Sequence, residues 1–294
     1  MTRAEGRIVK AVGGFFDVCA ADGRVYRCRG RGVFKVRGVR PLVGDIVECD
    51  VEGGEGVVLH VRPRSNALSR PAVANVDQAL VVCAAVSPPL SLHQLDRVLA
   101  AIERFAVPGA IVCTKIDLPG ADAVAARLRQ VYEPLAYGVY PVSAVQGDGL
   151  SALHGRLSGR VSVLAGASGV GKSTLIRHFV PASQAVMGAV NERMQRGRHT
   201  TTHVELYPFE GGFIADTPGF SQLDLKDLEP AEVAGLFRDL AAIAGGCEFR
   251  DCLHEVEDGC AVLAALPEGR IARSRYDGYL QLLREVREAK ARRY

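Results

Sequence analysis

The run Val161-Ser-Val-Leu-Ala165, followed at once by Gly166-Ala167-Ser168-Gly169-Val170-Gly171-Lys172-Ser173-Thr174, decides the fold. Its first part reads as a buried strand, and the second matches G-x-x-x-x-G-K-[ST], the phosphate loop that joins a strand to a helix. Glycines let backbone N–H groups wrap phosphates at a helix N-terminus, where the dipole favours negative charge. In such a loop Lys172 reaches the β- and γ-phosphates and the Ser173 hydroxyl ligates Mg2+. A chance glycine-rich turn is the plain alternative. The strand before the loop, with Lys172 and Ser173 in place, weighs against it.

Working outward, apolar strands are expected at Ala79–Ala85, Ala110–Cys113, Gly138–Val142 and Gly212–Ala215, with helices between them such as Leu92–Phe105 and Ala121–Tyr132. Near-continuous apolar strands with helical crossovers indicate an α/β domain whose parallel sheet is covered on both faces. Residues 6–64 differ: short β-rich runs (Arg7–Val12, Phe15–Val18, Val25–Cys28, Asp45–Cys49, Val57–Val61) are broken by glycines, which suits a small barrel. An OB-fold leads, and an SH3-like barrel has the same outline. Pro63–Pro71 reads as a linker. After Pro230, Val233, Leu236, Phe237 and Leu240 have helical spacing, and Arg273–Arg293 sets Tyr276, Leu280 and Leu283 on one face with arginines elsewhere. Three domains are expected: an OB-fold domain 1–68, a phosphate-loop domain 69–228 and a helical domain 229–294.

Composition excludes some classes. The 294 residues are 48% hydrophobic and 23% charged, which fits several buried cores rather than a disordered chain. The start is polar, and the longest apolar run, Ala79–Val86, is far below the ~20 residues that span a bilayer. Neither secretion nor membrane insertion is expected. The net charge of +3 conceals a pattern: residues 1–70 carry +5, residues 270–294 carry +5, and the middle carries −7. Basic ends around an acidic centre suggest a polyanion held by the ends, against the plain reading of solvated arginines.

The base is addressed by Thr114-Lys115-Ile-Asp117 at the end of a strand. A carboxylate at Asp117 accepts two hydrogen bonds from guanine N1–H and its exocyclic amine, a pair adenine lacks, and such a site rejects the wrong base by roughly 10⁴. Lys115 lies along the base, and Ser143-Ala144 fits a turn whose N–H meets the guanine O6. Alone, the Thr114–Asp117 signal equals a surface Lys/Asp turn; with the loop it selects GTP over ATP. Asp216-Thr-Pro-Gly219 ends another strand: Asp216 holds Mg2+ through water and the Gly219 N–H meets the γ-phosphate. In Gly197-Arg-His-Thr-Thr-Thr202, Thr201 is favoured as a second Mg2+ ligand, with Thr200 and Thr202 open. The base-reading residues precede the phosphate loop, so the order is circularly permuted.

Five cysteines (Cys19, Cys28, Cys49, Cys83, Cys113) fall in strands and are expected as buried thiols. Cys247-x4-Cys252-x-His254-x5-Cys260 is a Cys3His set that closes one tetrahedral, structural Zn2+ site. Buried free thiols or a redox pair are the alternatives.

Together with Arg70-Pro71 and Ala74-Asn-Val-Asp77, these motifs resemble the circularly permuted ribosome-biogenesis GTPases, the RsgA (YjeQ) family, over nearly the whole chain. The resemblance implies a cytoplasmic GTPase acting late in small ribosomal subunit maturation, stimulated by that subunit and contacting its rRNA, and it implies the OB-fold for the barrel. A monomer is expected. Thr114 stands where most GTPases have Asn. Phe220 occupies the position of the usual water-orienting Gln, and the family's proposed substitute is His199, whose plainer role is an RNA-contacting loop residue. Lys172 and Thr201 complete the expected catalytic set. A GTP-gated rRNA-binding placement factor is the rival reading, and a P-loop ATPase or kinase is opposed by Asp117 and Ser143-Ala144. Phe15, Phe16, Tyr26 and Phe34 are candidate base-stacking residues, though core packing is expected for most of them.

Overall fold

The computed structural model describes residues 2–30, 34, 40–69, 71–180, 204–216 and 227–292. Its strands are β1 (Thr2–Val12), β2 (Phe15–Ala20), β3 (Val25–Gly30), β4 (Ile46–Glu52), β5 (Glu55–Val61), β6 (Ala67–Ser69), β7 (Ala72–Ala74), β8 (Gln78–Ala84), β9 (Gly109–Thr114), β10 (Gly138–Val142), β11 (Val161–Ala165), β12 (Glu205–Phe209) and β13 (Gly212–Asp216). The α-helices are α1 (Leu92–Arg104), α2 (Ala121–Tyr132), α3 (Leu150–Leu157), α4 (Lys172–Phe179), α5 (Arg238–Ala244), α6 (Ala261–Ala265) and α7 (Arg273–Ala291). The chain divides into two compact units, one of residues 1–80, 149–165 and 171–220, the other of residues 81–148, 166–170 and 221–294.

In the first unit the strands run β1-β2-β3-β5-β4 and close through a β1–β4 pairing. The β3–β5 pair is parallel and the others are antiparallel. That closure is OB-like and separates the barrel from an all-antiparallel SH3-like one. Alternation makes the core: Phe16, Val18, Cys28, Val47, Cys49 and Val58 point inward. The expected linker is partly structured, because Leu68 of β6 is buried and pairs with Val73 of β7. β11 lies parallel to β13, and β12 pairs antiparallel with β13 through the Glu210–Gly211 turn. The sequence pattern does not announce β12, since Pro208 inside Glu205–Phe209 argues against a strand. Gln78 donates to Ser162 Oγ (2.8 Å) and Asp77 Oδ2 accepts from Val161 N–H (2.7 Å), which anchors the entry to β8 on β11.

In the second unit the strand order is β10-β9-β8, with β9 and β10 parallel. Every residue of β8 and β9 is buried, as strands covered on both faces require. The Ser91 hydroxyl caps α1 by accepting from Gln94 N–H. α7 packs on α1 around Ala100, Ala101, Tyr279, Leu282 and Val286. The helix expected over 233–240 is instead two 3-10 turns (Pro230–Glu232, Ala234–Leu236) followed by α5, because Phe237 is extended (φ −114°, ψ 106°). Its apolar residues still face the core, with Val233, Phe237 and Leu240 fully buried. On α7 the buried stripe adds Tyr279, Leu282 and Val286 to the expected Tyr276 and Leu283, and Leu280 is half-buried. Arg275, expected among solvent-facing arginines, is 1% exposed. All five strand cysteines are buried free thiols. Among the described residues no helix is long and apolar enough to cross a membrane.

Candidate nucleotide site and metal centre

In the second unit, the end of β9 meets the first half of the phosphate loop. Thr114 Oγ1 donates to Val170 O (2.6 Å) and also lies 3.2 Å from Cys83 O. Lys115 sits at φ 61°, a left-handed conformation uncommon outside glycine. Its ammonium donates to Gly169 O (2.9 Å) and to Ser87 O. Two successive residues of the Thr114–Asp117 motif thus hold two successive carbonyls of the loop. Gly166 is obligatory: at φ 144° its added Cβ would stand 2.1 Å from Val82 O. Ala167, Ser168 and Gly169 are exposed, as a ligand-facing loop requires.

Asp117 is oriented by Ser143, whose hydroxyl donates to its Oδ1 at 2.6 Å. The Ser143-Ala144 turn is closed by Gly147 N–H to Ser143 O (2.9 Å) and Ser143 N–H to Asp148 O (3.0 Å). Asp117 is thus held by Ser143, while its motif neighbours Thr114 and Lys115 hold Val170 and Gly169 of the loop. A carboxylate whose rotation is fixed in this way can present paired acceptors to a base edge carrying two donors.

In the first unit, Gly171 (φ 99°) caps α4, so Lys172 is its first residue and Ser173 and Thr174 are exposed on the opening turn. Arg177 Nε donates to Ser173 O (3.2 Å) within that helix. Asp216 closes β13 in register with Leu164 of β11, one residue before the strand that feeds the loop ends. His199, the Gly197–Thr202 segment with Thr200, Thr201 and Thr202, Gly219, Phe220 and Arg70 lie outside the described residues.

The second unit also holds the cysteine cluster. The Sγ atoms of Cys247, Cys252 and Cys260 lie 3.5, 3.3 and 3.4 Å from His254 Nδ1, and Cys247 Sγ is 4.0 Å from Cys260 Sγ. A tetrahedron with bonds of about 2.0–2.3 Å has edges of roughly 3.3–3.8 Å; the three distances to His254 Nδ1 fall in that range and the Cys247–Cys260 separation lies just above it, so the Cys3His donor set is compatible with Zn2+. His254 is left-handed (φ 57°). Its carbonyl accepts from Tyr276 OH (2.8 Å), and the neighbouring Leu253 carbonyl accepts from Tyr279 OH. Burial lowers the His254 imidazole while the Glu257 charge raises it, with a net lowering; the neutral ring is the ligating form. Glu257 accepts from the N–H groups of Leu253, Glu255 and Val256, which ties the turn between the ligands.

Two features have no sequence signal. Ser87 receives Lys115 through its backbone carbonyl, which any residue supplies. Arg275 joins Asp96 Oδ1 (2.5 Å) to Asp239 Oδ1 (3.0 Å) and Oδ2 (3.1 Å), linking α7, α1 and α5. Burial pushes Asp96 up to about 6, against the pull of Arg275 and Tyr132.

An OB-like barrel, a phosphate loop between β11 and α4, and base-side residues that come earlier in the chain define a circularly permuted P-loop GTPase fold. The family described as "RsgA GTPase" matches residues 61–226, and the one described as "RsgA N-terminal domain" matches residues 5–58. Small ribosomal subunit biogenesis GTPase RsgA of Geobacillus thermodenitrificans is 45% identical, covering 98% of this chain and 99% of that protein. The Halalkalibacterium halodurans protein of that name is 42% identical over 99% of both. The crystal structure of YloQ, a circularly permuted GTPase, aligns with TM-score 0.81 and 33% identity over 98% of this chain and 96% of YloQ. YjeQ from Thermotoga maritima aligns with TM-score 0.83 and 33% identity over 97% of this chain and 99% of YjeQ. The chain belongs to the RsgA family of GTPases.

Proposed function

We propose that this protein hydrolyses GTP during late maturation of the small ribosomal subunit, in the cytoplasm and as a monomer, with turnover stimulated by that subunit. The observation that carries the GTP part is the Ser143–Asp117 hydrogen bond, which orients a carboxylate beside the residues that hold the phosphate loop. The names of the full-length relatives support the ribosomal part.

In this reading Asp117, Lys115 and the Ser143-Ala144 turn take the guanine, and Gly166–Thr174 and Gly219 take the phosphates. Lys172 neutralises charge between the β- and γ-phosphates. Ser173, Thr201 and Asp216 serve Mg2+, and His199 orients the attacking water. One Zn2+ at Cys247, Cys252, His254 and Cys260 holds the C-terminal region 229–294, while domains 1–68 and 69–228 carry RNA contacts and catalysis.

The test is the GTPase rate with and without purified small subunits. Stimulation, together with His199→Ala that keeps GTP affinity and loses the stimulated rate, is the expected result. A rate indifferent to subunits overturns the reading. Subunit release that proceeds equally with a non-hydrolysable GTP analogue marks a placement factor instead.

A further inference from the structure

In the first unit a cavity of about 530 Å3, a size usual for small-ligand sites, opens between α3, the last turn of α4 and the β12–β13 turn. It lies at the end of the strands away from the phosphate loop. β11 and β13 run parallel, with Val161 opposite Phe213 at this end and Leu164 opposite Asp216 at the other. Leu150, Phe179 and Phe209 line the cavity and are buried, so they form its floor. Phe179 and Phe209 meet edge to face, with ring centroids 5.5 Å apart. His154 stands against Phe209 and His178 against Phe179, each pair of rings at 5.1 Å. Together with Ser151 and Glu210, these two exposed imidazoles make the rim.

Two independent features of Glu210 point to a ligand. The first is charge: it supplies the only carboxylate among the lining residues, and none of them is Lys or Arg. His154 Nε2 stands 3.9 Å from Glu210 Oε1, beyond hydrogen-bonding reach, so this pair leaves the carboxylate's acceptor positions open. The second is backbone. Glu210 has φ 44° and Gly211 has φ 74°, positive at both central residues of a two-residue hairpin loop, where Asn-Gly or Gly-Gly is preferred. Gly159 N–H donates to Glu210 O (2.9 Å) and holds the turn in place. A carboxylate kept where turn chemistry disfavours it, on the rim of a cavity, is strain with a use. Ring faces carry the negative end of an aromatic quadrupole, so rings and a carboxylate together attract cations and repel anions. A metal ion is opposed, because among the described residues only the Cys247–Cys260 set brings three or more metal-ligating atoms together.

We propose that this cavity binds a small organic cation, an ammonium head on an aromatic or branched apolar body. The body lies on Leu150, Phe179 and Phe209, and the head sits beside the Glu210 carboxylate, with the Ser151 hydroxyl as a further acceptor. The volume suits a free molecule rather than a single side chain reaching in from a partner. The site shares no residue with the nucleotide site, yet one helix joins them. Lys172 opens α4 at the phosphate loop and Phe179 closes it in the cavity wall, about 10 Å further along the axis. The proposal goes beyond the GTPase reading and does not depend on it.

The test uses the full-length chain with saturating GDP and follows the side-chain NMR signals of its 7 histidines. Three probes share one aromatic body and differ in the head: phenethylammonium, phenethyl alcohol and phenylacetate. Saturable shifts at His154 and His178, assigned through His154→Gln and His178→Gln, are expected with phenethylammonium. The cation should bind about tenfold more tightly than the alcohol, and phenylacetate more weakly than either. Glu210→Gln keeps length and backbone strain but removes the charge, so it should weaken the cation about tenfold, leave the alcohol unchanged and leave the melting temperature unchanged. Glu210→Asn also removes the charge but relieves the turn, so it should lose the cation and melt at a higher temperature than the wild type. Basal GTP hydrolysis, unchanged in both Glu210 variants, reports that they fold. Wild-type cation affinity in Glu210→Gln overturns the proposal, as does equal affinity for the alcohol, which marks a merely apolar pocket. Preference for phenylacetate, or no saturable shift at His154 and His178, overturns it too. Tighter binding of N-acetyl-lysine methylamide than of phenethylammonium overturns the small-molecule reading and assigns the cavity to a partner's side chain.

Discussion

Replacing Arg275 by Met keeps most of the side-chain volume and removes the charge from the most enclosed ionic cluster described here. The Arg275 and Asp96 side chains are each 1% exposed and that of Asp239 is 3% exposed. The guanidinium bridges Asp239 bidentately, touches Asp96, and lies 4.6 Å from the Phe237 ring centroid. Breaking a buried pair by removing one partner destabilises by about 3–5 kcal/mol, because the remaining charge is left desolvated. Two carboxylates are stranded here, but Asp96 has an exit. Its Oδ2 has no hydrogen-bond partner and can take a proton.

The pH sign follows from Asp96. Burial raises its folded pKa to about 6 from the ordinary 3.8. Between those values the folded state holds a proton that the unfolded chain has lost, so this group's contribution is present below about pH 4 and fades as pH rises through 6. Without Arg275 the folded pKa rises further, so the deficit of Arg275→Met widens with pH. We expect about 4 kcal/mol at pH 8 and about 2 kcal/mol at pH 5. The assay is urea unfolding followed by far-UV dichroism and tyrosine fluorescence, since the chain has 8 Tyr and no Trp. The triple variant Asp96→Asn, Asp239→Asn, Arg275→Met should recover most of the loss. A deficit below about 1 kcal/mol at pH 8, or one that grows on acidification, refutes the reasoning.

Three further outcomes are expected. Thr114→Val strands the Val170 carbonyl that its hydroxyl meets at 2.6 Å, a loss of about 1–3 kcal/mol; GDP affinity in a fluorescent-nucleotide titration should fall about tenfold and recover in Thr114→Asn, and wild-type affinity in Thr114→Val counts against the clasp. Gly→Ala within a helix ordinarily stabilises by about 1 kcal/mol. At Gly278 the added Cβ would stand 2.5 Å from Asp96 Oδ2, so Gly278→Ala should lower the melting temperature, and a raised one contradicts the packing. Elemental analysis should find one zinc per chain, and chelation should release Tyr276 and Tyr279 from the His254 and Leu253 carbonyls with a change in tyrosine emission; a metal-free chain with native emission opposes the assignment.

Legibility followed the range over which each feature is encoded. β11 and the phosphate loop were readable because strand, glycines, lysine and serine are contiguous, and the Cys247–Cys260 set because its ligands are closely spaced in sequence. β12 was hidden by Pro208, and the 233–240 segment read as one helix because periodicity does not register the extended Phe237. Thr114 was visible as a departure from Asn. Its contact with Val170, 56 residues away, was not.

The sequence by itself determined the motifs: a phosphate-loop pattern, the Thr114–Asp117 run proposed for the base, a Cys3His set and their permuted order, all of which depend on residue type and local spacing. Tertiary structure alone decided which side chains acquire partners. Arg275 looks like any helix-surface arginine until α1 and α5 bring Asp96 and Asp239 from 179 and 36 residues away. Phe15 looks like core until β1, β3 and β5 pair around β2 and turn its face outward beside Arg27 and Arg29. A charge or a ring takes its energetic meaning from what lies within a few ångströms of it, and only the closed pairing of distant segments sets that distance.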